Sequence, residues 1–322
     1  MQVRANGIRV EVEDSGPGGA GQPRPVVLLI MGLGMQLVAW PPQLVQALVG
    51  AGYRVVRHDN RDVGLSQHLD ALGTPNLVWE GIKYKLGLTP RAPYSLRDMA
   101  ADALGVLDAL NIDEAHVVGV SMGGMIAQHL ALMAPQRVRS LTSIMSSSGA
   151  RGLPQARRRV TRALLGRPAN NSVQALGDHY VKLFKVIGSP AFATPEGEMR
   201  ERIHHGLQRS FHPVGTLRQM LAIVADVNRS AELERIAVPT LVLHGKADPL
   251  VPYAHGEDTA RRIAGARLVG IEGMGHDLPP GVVERLLPPL LAHLEAACAA
   301  PGRPKQARTE VRSAEVLDVC LA

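Results

Sequence analysis

The sequence predicts an α/β fold: a mostly parallel, doubly wound sheet with helices on both sides. Two observations predict it. Short continuous apolar runs recur along the chain, as they do in strands buried on both faces. Segments of helical period lie between those runs, the alternation expected of parallel strands joined by crossover helices.

The chain opens on two alternating runs, "VRANG" and "IRVEVEDS", joined through Asn6-Gly7, which read as a β-hairpin. After a Gly/Pro-rich loop, buried-strand runs follow at 26–32, 53–59, 115–121, 138–146, 240–246 and 266–273. Helical periods cover 36–51, 95–111, 123–134, 255–264 and 281–300. Ser95 suits the N-cap of the second, and Pro135 closes the third.

One segment breaks the rhythm. Residues 149–235 show no strand, only helical stretches interrupted by Gly and Pro, and they hold all 3 phenylalanines, Phe184, Phe192 and Phe211. Basic residues outnumber acidic ones there by about two to one. The reading is a helical insertion over the C-terminal edge of the sheet, where ligands bind in such folds; a second, independent helical domain is the alternative. The residues after 298 read as a loosely ordered tail.

Composition narrows the function. Hydrophobic residues make up 46% and charged residues 20% of the 322, which suits a globular protein with a substantial core. Only two cysteines occur, Cys298 and Cys320, too few for a disulfide framework. The N-terminus alternates apolar and polar residues and lacks a signal-peptide core, and no run is long enough to span a membrane, so the expectation is a cytoplasmic protein. The net charge of +6 is scattered; its densest run, Arg157-Arg158-Arg159, has no interleaved aromatics, so no nucleic-acid partner is expected.

The chemistry concentrates in "HVVGVSMGGM" (116–125). Gly119-Val120-Ser121-Met122-Gly123 fits G-x-S-x-G, with an apolar strand entering it and a helical period leaving it. Such a turn strains the serine backbone, exposes Oγ at the sheet edge and leaves no room for side chains on its neighbours. A serine hydroxyl needs a base, and the base an orienting acid. Asp248, on the loop leaving one buried strand, and His276, just after the next, can reach Ser121 at one edge of a parallel sheet. Asp277 is a second acid beside the histidine, but a sequence neighbour would struggle to reach the far ring nitrogen. Gly32-Leu33-Gly34 lacks the third glycine of a dinucleotide fingerprint, and the adjacent pair His204-His205 would point to different helix faces, so neither a nicotinamide nor a metal is expected.

With this elbow, the order Ser–Asp–His and "DNRDVGLS" (59–66), the chain resembles the α/β-hydrolase superfamily, although Asp62 stands where its turn usually carries glycine. More narrowly, "LLIMGLGMQLVAWP", "HDNRDVGLS" and "EGMGHDLP" are similar to a bacterial serine-esterase branch that includes the anthracycline methylesterases. The resemblance implies a serine hydrolase that cleaves carboxylic esters through an acyl-enzyme, with Ser121 as nucleophile, His276 as base and Asp248 as its acid. It implies an oxyanion hole from the backbone N–H groups of Met122 and Leu33, here with Met31-Gly32 where many relatives carry His-Gly. It implies a core domain over 1–148 and 236–298, a helical cap over 149–235 and a tail over 299–322.

Gly32, Gly34, Met35 and Met274 are assigned to the substrate pocket; the methionines 31, 35, 122, 125 and 274 read equally well as a pliable apolar wall or as core filler. The expected partner is a small-molecule ester, with no cofactor and an oligomeric state left open. The same triad serves cofactor-free perhydrolases and haloperoxidases, proline-type aminopeptidases, C–C bond hydrolases and acyltransferases. A small-molecule receptor retaining the pocket is the alternative from a different class.

Overall fold

The computed structural model describes residues 1–17, 24–170 and 172–299. Strands β1 (Gln2–Ala5) and β2 (Ile8–Asp14) form the opening hairpin, with Asn6 at φ 48° and Gly7 at φ 81°, the positive pair that a two-residue type I′ turn demands. In chain order there follow β3 (Val26–Ile30), α1 (Pro42–Gly50), β4 (Arg54–His58), α2 (Leu77–Lys85), α3 (Leu96–Ala109), β5 (Ala115–Val120), α4 (Met122–Met133) and β6 (Val138–Ile144). Helices α5 (Arg158–Leu164), α6 (Val173–Ile187), α7 (Glu196–Arg209), α8 (Pro213–Ala225) and α9 (Arg229–Glu232) come next, then β7 (Thr240–Gly245), α10 (Ala254–Arg262), β8 (Arg267–Ile271) and α11 (Pro280–Ala299).

Among the described residues the strands form one sheet in the order β1-β2-β4-β3-β5-β6-β7-β8. The β1–β2 and β2–β4 pairings are antiparallel, and every pairing from β4 to β8 is parallel. Alternation along β3 shows why the apolar runs are continuous. Leu28 and Ile30 pack with Met99, Leu107 and Ile126 of α3 and α4, while Val27 and Leu29 pack with Leu44, Leu48 and Leu290 of α1 and α11. Both faces are covered, so both sets of side chains must be apolar.

Three details depart from the sequence reading. The helical period at 36–51 is divided into a 3-10 turn, Leu37–Ala39, and α1; the residue before a proline is pushed out of helical backbone, and here Pro41 precedes Pro42. Helix α2 carries no inward apolar stripe to announce it: Val78 is 75% and Trp79 56% exposed, while Glu80 is buried. β8 is an edge strand whose only buried residue is Ile271, not a strand covered on both faces. The expected tail beyond 299, with Cys320, lies outside the described residues. No helix among the described residues is long and apolar enough to cross a membrane.

The registers determine what meets at the C-terminal edge. Ile30 pairs with Gly119, Val120 with Ile144, Ile144 with Leu243 and Gly245 with Ile271. The residues that leave β3, β5, β7 and β8 therefore emerge along a single rim.

Candidate active site

Ser121 occupies the sharp turn from β5 into α4, at φ 55° and ψ −121°, a conformation costly for any side-chain-bearing residue. Its surroundings hold it there: its N–H donates to the Ile144 carbonyl at 2.9 Å, and its own carbonyl accepts from Ser146 Oγ at 2.7 Å. The flanking glycines are required by space. A Cβ on Gly119 would lie 2.1 Å from the Gly123 carbonyl oxygen, and one on Gly123 would lie 2.0 Å from that of Ile30. Gly32 faces the serine itself; its Cβ would stand 3.2 Å from Ser121 Cβ and 3.7 Å from Oγ.

The loops after β7 and β8 bring the other two residues to this serine. His276 Nε2 lies 3.0 Å from Ser121 Oγ, and its Nδ1 lies 2.7 Å from Asp248 Oδ2. Asp248 is buried and fixed by its own turn, with Oδ1 accepting the N–H groups of Leu250 and Val251, each at 2.9 Å. A second imidazole, His244, stands 3.8 Å from the same carboxylate. Burial pushes its pKa down, and its Nε2–H donates to the Val251 carbonyl at 2.8 Å, so it is engaged elsewhere and the hydrogen bond to Asp248 Oδ2 is made by His276. Asp277 has a separate task. Its Oδ1 accepts from the backbone N–H and hydroxyl of Ser189 at 2.9 and 2.5 Å, although burial holds its carboxyl above the ordinary range.

The loop after β3 approaches from the other side. Met35 N–H closes onto the Gly32 carbonyl at 3.2 Å, making Leu33 and Gly34 the central pair of a turn, with Gly34 at φ 66°. Among the described residues, neither the Leu33 N–H nor the Met122 N–H donates to a protein acceptor. The methionines separate into two groups. Met31, Met122, Met125 and Met274 are buried in the two core clusters, Met274 with no exposed surface, so these four fill the core; Met35 is half-buried at its edge.

Helices α6 to α8 and the residues beside them press on the loops after β3, β4 and β8. The His276 N–H donates to the Ile187 carbonyl at 2.7 Å, and Ser189 Oγ accepts from Gly275 N–H at 2.9 Å. Arg209 reaches Asp59 Oδ2 at 2.6 Å, and Arg218 reaches Asp62 Oδ1 at 2.6 Å with both side chains almost wholly buried. Asp62, at φ 67°, thus keeps the backbone shape of the glycine it replaces and adds a buried acceptor, which also takes the Leu69 N–H at 2.7 Å. Gln219 Oε1 accepts from Gly34 N–H at 2.9 Å. Neither Arg218 nor Gln219 is discernible from the sequence, because their partners lie more than a hundred residues away.

Among the described residues one group has the residue types of a metal site: ligand atoms of His68, Asp70 and His212 lie within 4.8 Å of one another. The two rings are stacked at 3.9 Å and 7°, so their lone pairs lie in separate parallel planes that cannot share one ion, and Arg218 already stands 3.2 Å from Asp70. The cluster acts as a polar clasp between the β4 loop and the start of α8. His204 and His205 both lie on α7, away from it.

A family model for the alpha/beta hydrolase fold matches residues 25–279. The chain is 33% identical over 302 residues to rhodomycin D methylesterase DnrP of Streptomyces peucetius, a match covering 87% of this chain and 94% of that one. It is 31% identical to the putative carbamate hydrolase RutD of Pantoea ananatis, over 86% of this chain and 90% of the relative. Among solved structures, the enol-lactonase from Burkholderia xenovorans LB400 superposes with a TM-score of 0.64 at 22% identity, covering 92% of this chain and all of that one, a likeness of fold.

Proposed function

The chain belongs to the alpha/beta-hydrolase family, and on that premise we propose that it hydrolyses carboxylic esters through an acyl-enzyme on Ser121. The observation that carries the reading is the unbroken relay from Asp248 through His276 to Ser121, at 2.7 and 3.0 Å, on three loops of one sheet edge. His276, with Nδ1–H directed at Asp248, has Nε2 free to accept the Ser121 proton as Oγ attacks the ester carbonyl. Leu33 and Met122 N–H groups receive the oxyanion, each contributing about 3 kcal/mol of transition-state stabilisation. As the tetrahedral species collapses, His276 returns the proton to the departing alcohol. Water then attacks the acyl-enzyme, gives its proton to Nε2, and the acid leaves with the Ser121 hydroxyl restored.

Residues 149–235 act in this reading as a cap over the core formed by 1–148 and 236–298; the bonds from Ile187, Ser189, Arg218 and Gln219 to the rim support it. The likeness to a methylesterase makes methyl esters of larger acids the first substrates to try, and the likeness to a carbamate hydrolase makes a carbamate the comparison. The test is an ester panel with a fluorophosphonate probe. Ser121 is the serine labelled, and Ser121→Ala abolishes both labelling and turnover while the thermal melt is retained. Labelling elsewhere, or activity undiminished in the alanine variant, overturns the assignment.

A further inference from the structure

We propose that Gln219 is a positioning residue for the oxyanion hole, locking the Leu33–Gly34 peptide so that the Leu33 N–H is the one offered to substrate; the proposal rests on the hydrolase reading above. Gln219 has no exposed surface and sits on α8, outside the relay. Its carboxamide is held at both ends, Oε1 by the Gly34 N–H at 2.9 Å and Nε2 by the Arg61 carbonyl at 2.8 Å. The opposite flip would set an amide N–H against the Gly34 N–H and a carbonyl against a carbonyl, so the orientation is determined by its partners. The anchor is rigid, because Arg61 is held by both oxygens of buried Asp102 at 2.6 Å.

The turn supplies the reason. Gly34 has φ 66°, Leu33 is not among the residues of positive φ, and Met35 N–H bonds back to Gly32, the pattern of a type II turn. Type I and type II turns differ by a flip of the central peptide, here Leu33–Gly34. Gln219 accepts the N–H of that peptide and so holds it in one of the two orientations. With the Gly34 N–H given to Gln219 and the Met35 N–H given to Gly32, the Leu33 N–H is the donor that the turn leaves over. Thr216, three residues before Gln219 on the same helix, closes the gap: a Cβ on Gly34 would come within 2.9 Å of its Oγ1 and Cγ2.

Gln219→Leu removes both bonds at similar volume, whereas Gln219→Glu keeps an acceptor for the Gly34 N–H. The leucine variant is expected to lose about 100-fold in kcat, the scale of a lost or misplaced oxyanion donor, with KM within about twofold. Its Ki for a trifluoromethyl ketone, which forms the tetrahedral oxyanion, rises by the fold by which kcat/KM falls. Gln219→Glu retains most of kcat. The idea is overturned if the leucine variant keeps kcat, if only KM changes, or if a folded Gln219→Glu falls as far as leucine. Should Gln219→Leu not fold, the glutamate variant decides alone: retained kcat with an unchanged ketone Ki supports the proposal, and loss of both overturns it. Wild-type labelling keeps the two claims apart, because a fluorophosphonate that labels a residue other than Ser121 defeats the hydrolase reading, whereas stoichiometric labelling of Ser121 with an unaffected leucine variant defeats this one.

Discussion

The strand ends and the helices that lie on them are built on different physics. At the strand ends, position comes from a ladder of parallel registers and from side chains such as Val118, Leu243 and Ile271 packed in an apolar core. Across the seam, charge and hydrogen bonding add to a few apolar contacts such as those of Ala222 and Phe192. Helix α7 has no buried residue at all, yet its Arg209 reaches the buried Asp59. Arg218 of α8 is fully buried against Asp62, and Arg229 of α9 is bonded to Asp226, Gln128 and the Ser147 carbonyl. The first region is set by apolar packing, which tolerates modest change; the second depends on individual pairs that fail one at a time.

The largest expected effect separates two neighbouring acids. On the proposed mechanism, Asp248→Asn removes the charge behind His276 and favours the wrong tautomer, and kcat is expected to fall about 10⁴-fold, as in known triads, at nearly constant melting temperature. Asp277→Asn loosens the contact with Ser189 and is expected to leave most of kcat, because Asp277 is bonded to Ser189, just beyond α6, and not to the imidazole. Steady-state kinetics on the two variants checks this; equal losses would refute the division of labour.

Next comes the seam. Arg218→Met strands Asp62 without its partner in the interior, a change that costs about 3–5 kcal/mol. It is read as a lower denaturation midpoint together with new proteolytic cuts within 149–235. Asp62→Gly should also destabilise, although it relieves a positive φ, because it takes from Arg218 its buried carboxylate and leaves the Leu69 N–H without its acceptor. A glycine variant as stable as the wild type would contradict the pairing.

The smallest effect per group belongs to the sheet. Burial pushes His58 down to about 4 and His116 to about 3. In the unfolded chain both titrate near 6.5, so there the unfolded state binds more protons. Their contribution is complete above pH 6.5 and is lost as pH falls toward those values, at about 1.4 kcal/mol per pH unit for each histidine. Denaturation free energies between pH 7 and 5 measure it, and a flat profile would sink the claim.

What was legible in the sequence follows the same division. Gly119, Ser121 and Gly123 announce themselves because steric demand at one turn is written in consecutive residues. Asp248 and His276 were discernible because each follows an apolar run that parallel strands bring to one edge. The polar seam was hidden. Asp62 looked like a departure from a glycine pattern, and only Arg218, 156 residues away, explains it. Helix α2 was missed because its apolar residues face outward, and the methionines could not be apportioned because burial is not encoded in residue type.

Three bonds to the rim come from one stretch of chain. Ile187 and Ser189 hold the loop of His276, and Gln219 holds the loop of Leu33, all from the same connection between β6 and β7. On the proposed reading, displacing that connection would loosen the loops of His276 and Leu33 together, and with them both halves of the catalytic apparatus.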